Sequence, residues 1–238
     1  MQLHKIAGLT VDLGYKYDRM KKQAAAYRIE NGGKPDLTIY ISDEFLEQKC
    51  KEIDGFDLGL CEYVYTGSVF YTGLLQFDGF MLHSSAVLMD GNAYLFSASS
   101  GVGKSTHTSL WQQAFGKDRA KILNDDKPAI RVEKDGIFAY GTPWSGKTDL
   151  NINVRANLAG ICFLERGTEN KIRRENGGAV LSKLLTQTVR PYDERDMDLL
   201  LKSVDTVLSK IPVYTMSCTI SEEAAHMAYN AMKPPKAE

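Results

Sequence analysis

The chain has 238 residues, of which 43% are hydrophobic and 25% are charged. These values are ordinary for a soluble globular protein, and they exclude a wholly disordered chain. The 29 basic residues nearly balance the 30 acidic ones, giving a net charge of −1, which argues against a dedicated binder of nucleic acids or anionic membranes. No apolar run approaches the roughly 18 residues that span a bilayer, and the first five residues lack the apolar core of a secretory signal.

The four cysteines are scattered along the chain and form no CxxC pair; they are Cys50, Cys61, Cys162 and Cys218. Their number and spacing fit neither a disulfide scaffold nor a zinc site. We interpret them as reduced and mostly buried thiols, which predicts a cytoplasmic protein.

The first portion of the chain, residues 1–75, is predicted to be a small α+β unit whose function the sequence does not indicate. Leu3–Leu13 contains strand-like stretches, and Leu37–Ile41 is typical of a strand. Asp43–Ile53 is typical of a helix. Glu62–Gln76 is rich in aromatic and β-branched residues and fits either a helix or a strand.

The second portion, residues 76–238, has clearer signals and is predicted to form one α/β domain. The apolar run Phe80–Met89 is followed by Asp90-Gly91, a strong signal for a two-residue hairpin turn. The return strand leads into Ser97–Thr106, after which an apolar face predicts a helix that ends at Gly116. Further strands are expected at Ala120–Leu123, Ala129–Val132, Ile137–Tyr140, 150–154 and Leu158–Leu164, and further helices at Asp193–Lys210 and Glu222–Met232, with Ser221 as the N-cap of the last.

Two segments resemble the phosphate-binding pattern GxxxxGK[ST], which needs a strand before it and a helix after it. Residues 141–148, the Lys147 loop, match it literally, but Pro143 removes an amide donor and the residues that follow alternate like a strand. Residues 98–105, the Lys104 loop, have Ala98 in place of the first glycine, yet they lie between a strand and a helix. The Lys104 loop is therefore the predicted nucleotide site, formed by Ser99, Ser100, Gly101, Val102, Gly103, Lys104, Ser105 and Thr106.

The first hairpin and the next strand place further reactive side chains beside this loop. If Met89 faces Asn92 across the turn, His83 lies opposite Ala98, at the mouth of the loop. A right-handed βαβ crossover would bring the strand that ends at the acidic pair, Asp125 and Asp126, to the same edge. One of these acids could hold Mg²⁺ and the other could accept a proton from an attacking hydroxyl.

A second hairpin is predicted with Asp135-Gly136 as its turn, which would place Asp126 across from Ser145. The Lys147 loop would then lie beside the acidic pair and form the acceptor side of the site. The predicted substrate-binding residues are Trp144, Ser145, Gly146 and Lys147.

Taken together, these motifs resemble the catalytic domain of the HPr kinase/phosphorylase family, which shares its fold with the ATP-type phosphoenolpyruvate carboxykinases. The resemblance covers about residues 80–165 and is carried by Leu82-His83-Ser84-Ser85, Ser99–Thr106, Leu123-Asn124-Asp125-Asp126 and residues 141–154. It implies a P-loop kinase of HPr kinase/phosphoenolpyruvate carboxykinase-like type, with a mixed central sheet, flanking helices and the smaller N-terminal portion. It also implies ATP and Mg²⁺ as cofactors.

The resemblance implies a role for each matching residue. Lys104 would bind phosphates, Ser105 would ligate Mg²⁺ together with Asp125, and Asp126 would take the proton of the acceptor hydroxyl with support from His83. The expected function is ATP-dependent phosphoryl transfer to a hydroxyl, typically of serine, on a peptide, a protein or a small molecule.

Two alternatives stay open at this point. The family's Mg²⁺-binding Glu has no obvious counterpart in this sequence and its late catalytic Arg is missing. These departures slightly favour a non-catalytic nucleotide-binding module, while the intact Lys104, Ser105, Asp125 and Asp126 oppose it. A carboxykinase-like lyase would need a cationic oxaloacetate pocket, for which the sequence offers no candidate residues. The sequence predicts neither the acceptor nor the oligomeric state, so a homo-oligomer stays open, and nucleic-acid and membrane partners are not expected.

Overall fold

The computed structural model describes residues 2–176 and 178–235. Their regular elements, in chain order, are β1 (Leu3–Ile6), β2 (Leu9–Leu13), α1 (Asp18–Ala24), β3 (Leu37–Ile39), α2 (Asp43–Glu52), α3 (Leu58–Leu74), β4 (Gly79–Met81), β5 (Ser84–Met89), β6 (Asn92–Ser97), α4 (Lys104–Phe115), β7 (Lys121–Asn124), β8 (Ala129–Glu133), β9 (Gly136–Tyr140), β10 (Arg155–Arg166), β11 (Lys171–Glu175), α5 (Gly178–Thr186), α6 (Glu194–Lys210), β12 (Val213–Cys218) and α7 (Glu222–Met232). Short 3₁₀ turns follow α1 and α3.

The main sheet is mixed, and within the described residues it has nine strands. Its principal order is β4-β8-β9-β10-β6-β5-β7, and β12 joins the far end of β10 with β11 beside it. Strand β5 is antiparallel to both β6 and β7, so β6 and β7 run in the same direction with β5 between them. The carboxyl ends of β6 and β7 and the amino end of β5 therefore meet at one edge of the sheet.

Both faces of this sheet are covered, because apolar side chains alternate between them along the strands. On one face, Leu95 and Ile161 pack against α5 and α6. On the other face, Tyr94 and Phe96 pack against Trp111 of α4 and against α7. The result is a mixed α/β fold with helices on both sides of the sheet.

The N-terminal portion covers the remainder of that second face. Its small sheet has the order β1-β2-β3, and α3 packs between this sheet and the main one. Phe70 of α3 stacks on Trp144 with ring centroids 4.9 Å apart, within a hydrophobic core that also contains Phe138 of β9. The predicted boundary after residue 75 falls in the 3₁₀ turn Leu75–Phe77, and the two portions share a continuous core.

Several sequence predictions are confirmed. The first hairpin has the predicted register, with Met89 opposite Asn92, and both Asp90 and Gly91 adopt positive φ angles. The four helices predicted with clear signals appear as α2, α4, α6 and α7, and Ser221 caps the last of them. The ambiguous segment Glu62–Gln76 is helical, as part of α3 and the turn that follows it.

Two predictions about the middle of the chain are wrong. The second hairpin turns at Lys134-Asp135, because Glu133 pairs with Gly136, so its register is shifted by two residues from the predicted one. Residues 150–154 form no regular strand; they make one isolated bridge, from Asn151 to Asn124, although the backbone also bonds to Leu123 and Asp125. Among the described residues, no helix combines the length and the apolar character that crossing a bilayer requires.

Candidate functional site

The Lys104 loop connects β6 to the amino end of α4, as a phosphate-binding loop requires. Gly101 and Gly103 adopt φ angles of 78° and 122°, which L side chains rarely reach, so the turn depends on these two glycines. Gly103 is the N-cap of α4 and provides no side-chain cap, which leaves first-turn amides without a side-chain acceptor. Exposed Ser105 and Thr106 stand in the same turn.

The side chain of Lys104 folds back into this loop. Its Nζ donates a hydrogen bond of 3.0 Å to the backbone oxygen of Ala98, and the residue is buried. Burial lowers the pKa of Lys104, and the charges of Asp126 and Asp125 partly offset that effect. A buried ammonium group held near two carboxylates at a helix amino end is suited to binding a polyphosphate.

Asp125, at the end of β7, is bound to the same helix through a chain of hydroxyl groups. Its buried carboxylate accepts hydrogen bonds from the hydroxyls of Ser85 at 2.6 Å and Thr148 at 2.7 Å. The Ser85 hydroxyl also lies 2.8 Å from that of Thr108 in α4. These contacts fix the position of Asp125 relative to the first turns of α4.

Asp126 lies between His83 and Lys127. His83 Nε2 is 3.1 Å from one carboxylate oxygen, and Lys127 Nζ binds the other. Burial would raise the pKa of Asp126, but the hydrogen bond from His83 and the charge of Lys127 outweigh it and lower the pKa to about 2. Asp126 is therefore ionised at neutral pH and can accept a proton.

The ring of His83 is oriented by Gln187, a residue that the sequence did not indicate. His83 Nδ1 lies 3.2 Å from the side-chain oxygen of Gln187, and the backbone amide of His83 donates to the Gln187 backbone oxygen at 2.7 Å. Both ring nitrogens thus lie near side-chain oxygens, of Gln187 on one side and of Asp126 on the other. Gln187 follows α5, which the sequence analysis did not predict, so no pattern placed it near the site.

The Lys147 loop lies beside Asp126, although the register that predicted this was wrong. Gly146 adopts a φ of 75°, and a Cβ at this position would lie 2.8 Å from Asp126 Cβ. The backbone amide of Gly146 donates to the Tyr63 hydroxyl at 3.0 Å. No helix follows this loop, so its amides do not converge on an anion as those of a phosphate loop do.

The four predicted substrate-binding residues of this loop have different surroundings. The Trp144 ring is buried between Phe70 and Tyr71, and Ser145 is buried against Gln23 and Asn151. Both side chains are buried and anchor the loop in the core, and their predicted role in substrate binding stays a prediction. Of the other two residues, Gly146 lies next to Asp126 and Lys147 is exposed to solvent.

Asn124, also missed as a functional residue, holds this loop against β7. Its buried side-chain amide donates to the backbone oxygens of Thr142 at 3.0 Å and Trp144 at 3.4 Å, while its oxygen accepts from the backbone amides of Asp126 and Lys127. One side chain therefore fixes both the acidic pair and the loop that faces it. Its position directly before two aspartates was the signal that could have identified it.

A cleft of about 640 Å³, which we call the α4 cleft, opens beside the Lys104 loop and is lined by Gly101–Gly103, Thr106, His107, Leu110, Arg166, Gly167 and Cys218–Ile220. Arg166, at the end of β10, donates to the backbone oxygen of Gly101.

Trp111 Nε1 donates to His107 Nε2, so His107 carries its hydrogen on Nδ1, a buried atom without a partner among the described residues. Burial lowers the pKa of His107 to about 4, which keeps this ring neutral.

No protein-family model and no curated protein sequence matches this chain. Among solved structures, the chain is similar to the Hpr(Ser) kinase/phosphatase from Coxiella burnetii, with a TM-score of 0.35 and 10% sequence identity. The likeness covers 63% of this chain and 93% of that chain.

Proposed function

We propose that this protein is a Mg²⁺- and ATP-dependent kinase of the P-loop type that transfers a phosphoryl group to a hydroxyl. The observation that carries the proposal is the position of the Lys104 loop and the acidic pair at one edge of the sheet. Hydrogen bonds through Ser85 and Thr108 join them. Phosphoryl transfer needs a cationic cradle for phosphates, a metal site and a proton acceptor close together, and Lys104, Asp125 and Asp126 would supply them at this edge.

The nucleotide would bind along the amino end of α4. Its phosphates would contact the amides of the Lys104 loop and the Lys104 ammonium group. The α4 cleft adjoins the loop and is large enough for a nucleoside, with apolar Val102 and Leu110 in its wall.

The oxygen donors at this edge fit Mg²⁺. Ser105 in the first turn of α4 and Asp125 would hold the ion, which would neutralise charge on the phosphate oxygens. Within residues 2–176 and 178–235, no group of three or more His, Cys, Asp or Glu side chains could hold a metal alone. This donor set agrees with the usual way that proteins bind Mg²⁺ with a nucleotide, through one or two protein oxygens together with phosphates.

Asp126 would act on the acceptor. Its carboxylate would orient the acceptor hydroxyl and take its proton as the oxygen attacks the terminal phosphorus of the bound nucleotide. A carboxylate with a pKa of about 2 is a weak base, but phosphoryl transfer depends mostly on positioning and charge neutralisation, so a weak base suffices. Gly146 borders this carboxylate, and Gly146 and exposed Lys147 would face a serine-like hydroxyl of a peptide, a protein or a small molecule.

Two variants test the proposal with the full chain. Calorimetric titration with ATP and Mg²⁺ should show binding to the wild type and to Asp126→Asn, and loss of binding in Lys104→Met. Incubation with labelled ATP and a cell lysate, followed by mass spectrometry, should show a labelled acceptor with the wild type and about 10²–10⁴-fold less with Asp126→Asn. ATP binding without any turnover would replace the kinase by a nucleotide-binding module, and failure of ATP to bind would end the proposal.

A further inference from the structure

Cys50 and Cys61 form a thiol pair that the proposed function does not use. Cys50 lies near the end of α2 and Cys61 lies in the first turn of α3, two helices joined by residues 53–57. Their sulfur atoms are 3.0 Å apart, and both residues are free thiols in this structure. A disulfide bond is about 2.05 Å long, so the two sulfurs need to approach by only about 1 Å to form one.

The two thiols differ in their access to solvent. Cys50 is half-buried and lines an open cleft of about 690 Å³, together with Tyr17, Arg19 and Phe56. Cys61 is fully buried behind it, and burial together with its contact to Cys50 raises the pKa of Cys61 to about 11. A small reagent therefore reaches Cys50 first, and Cys61 stays a protonated thiol until a partner sulfur comes close.

We propose that Cys50 and Cys61 are a site of reversible thiol–disulfide exchange with small disulfides of the oxidised-glutathione class. The Cys50 thiolate attacks one sulfur of the small disulfide, forms a mixed disulfide and releases one small thiol. The sulfur of Cys61 then loses its proton and displaces the second small thiol, which leaves an intrachain disulfide. Two protein thiols are oxidised, one small disulfide is reduced, and the two protons end on the released thiols.

The disulfide would fix a segment that supports the candidate site. It would join α2 to the beginning of α3, and Tyr63 of α3 contacts the Gly146 amide next to Asp126. Cross-linking the short connection between the helices reduces the conformational freedom of the unfolded chain, so the oxidised protein should be more stable than the reduced one. Modification at Cys50 would thereby stiffen the helix against which the Lys147 loop packs.

The test is titration of the full chain with mixtures of oxidised and reduced glutathione, followed by intact-mass measurement and peptide mapping. The wild type should lose two hydrogen atoms without keeping an adduct, yield a peptide linked through Cys50 and Cys61, and melt about 5–10 °C higher than the reduced form. Excess reduced thiol should reverse both changes. Cys162, which is fully buried, should stay unmodified and serves as an internal control.

Matched variants separate the two steps. Cys61→Ser should stop at a stable mixed disulfide on Cys50, because the second thiol is missing. In Cys50→Ser, residue 50 should take up no small thiol and no disulfide to Cys61 should form. A wild-type protein that keeps a glutathione adduct on Cys50, or that links another pair of cysteines, would overturn the proposal. None of these readouts requires kinase activity, so the proposed function can fail while this site stands.

Discussion

Replacement of Gly146 by alanine tests whether the close contact between the Lys147 loop and Asp126 matters for both stability and transfer. The new Cβ would lie 2.8 Å from Asp126 Cβ and 3.0 Å from its carboxyl carbon. Carbon atoms pack best at about 3.5–4.0 Å, so one of the two segments must move by about 0.7 Å. The backbone φ of 75° adds strain for any residue with a side chain.

The two effects have different magnitudes. Alanine in the left-handed region costs about 1–2 kcal/mol relative to glycine. Overpacking against a fixed neighbour typically costs about 1–3 kcal/mol more. For catalysis, misplacement of a group by about 1 Å can reduce a rate about 10²-fold, so we expect transfer to fall about 10–10²-fold in Gly146→Ala. Nucleotide binding should change little, because the Lys104 loop is untouched.

Gly91→Ala is the matched control. Gly91 has nearly the same φ, 77°, but a Cβ there would meet no atom within 4 Å. Urea unfolding should therefore show a loss of about 1–2 kcal/mol in Gly91→Ala and a larger loss in Gly146→Ala, and transfer should fall only in the latter. Equal losses of stability together with equal transfer rates would refute the inference that Gly146 is required by its contact with Asp126.

Three further predictions concern the other side chains of the site. Lys104→Met should lose nucleotide binding yet unfold in urea at a midpoint no lower than the wild type at pH 7, because burial disfavours the charged lysine; a lower midpoint would contradict this. The pKa of Asp126 is about 2, below the ordinary 3.8. The ionised carboxylate therefore stabilises the fold fully above about pH 4, and this contribution is lost as the pH falls through 2. Between these pH values, the urea midpoint of Asp126→Asn should change less than that of the wild type. Gln187→Ala should lower kcat about 10-fold with little change in KM for ATP, since Gln187 orients the ring of His83 but lies outside the nucleotide cradle; a change confined to KM would assign Gln187 to nucleotide binding.

The parts of the fold that the sequence predicted depend on short-range signals. Asp90-Gly91 specifies a turn in which both residues have positive φ, and this turn alone sets the register that places His83 near the Lys104 loop. The apolar face of α4 and the positive φ of Gly116 define that helix and its end. Local conformational preference and core packing agree in these elements, which is why the sequence was sufficient.

The prediction of the second hairpin turn is wrong because contacts from elsewhere in the chain were not visible in the local sequence. Asp135-Gly136 is the same kind of signal as Asp90-Gly91, yet the turn forms one residue earlier. Arg155, on the neighbouring strand β10, binds both Glu133 and Asp135, and the described turn residues Lys134 and Asp135 do not adopt positive φ. The observed turn therefore goes together with contacts from β10, which lies later in the sequence. No pattern within the hairpin sequence predicts these contacts. Gln187 was missed for the same reason, because only the packing of the segment after α5 brings it to His83.

The Lys147 loop lies beside Asp126 as predicted, although the predicted hairpin register was wrong, because other contacts also fix the position of the loop. Asn124 binds the loop backbone from one side, and the buried Trp144 ring fixes it against α3 from the other. The glycines and lysine that give this loop its literal likeness to a phosphate-binding motif therefore occupy a different setting: Gly146 permits close approach to Asp126, and Lys147 is free to contact solvent or an acceptor. A phosphate loop requires a helix whose amides converge on the anion, and only the Lys104 loop, of these two, is followed by one. The helix that follows the motif, rather than the match of its letters, therefore distinguishes the two loops in this chain, and residues of both loops lie near Asp126.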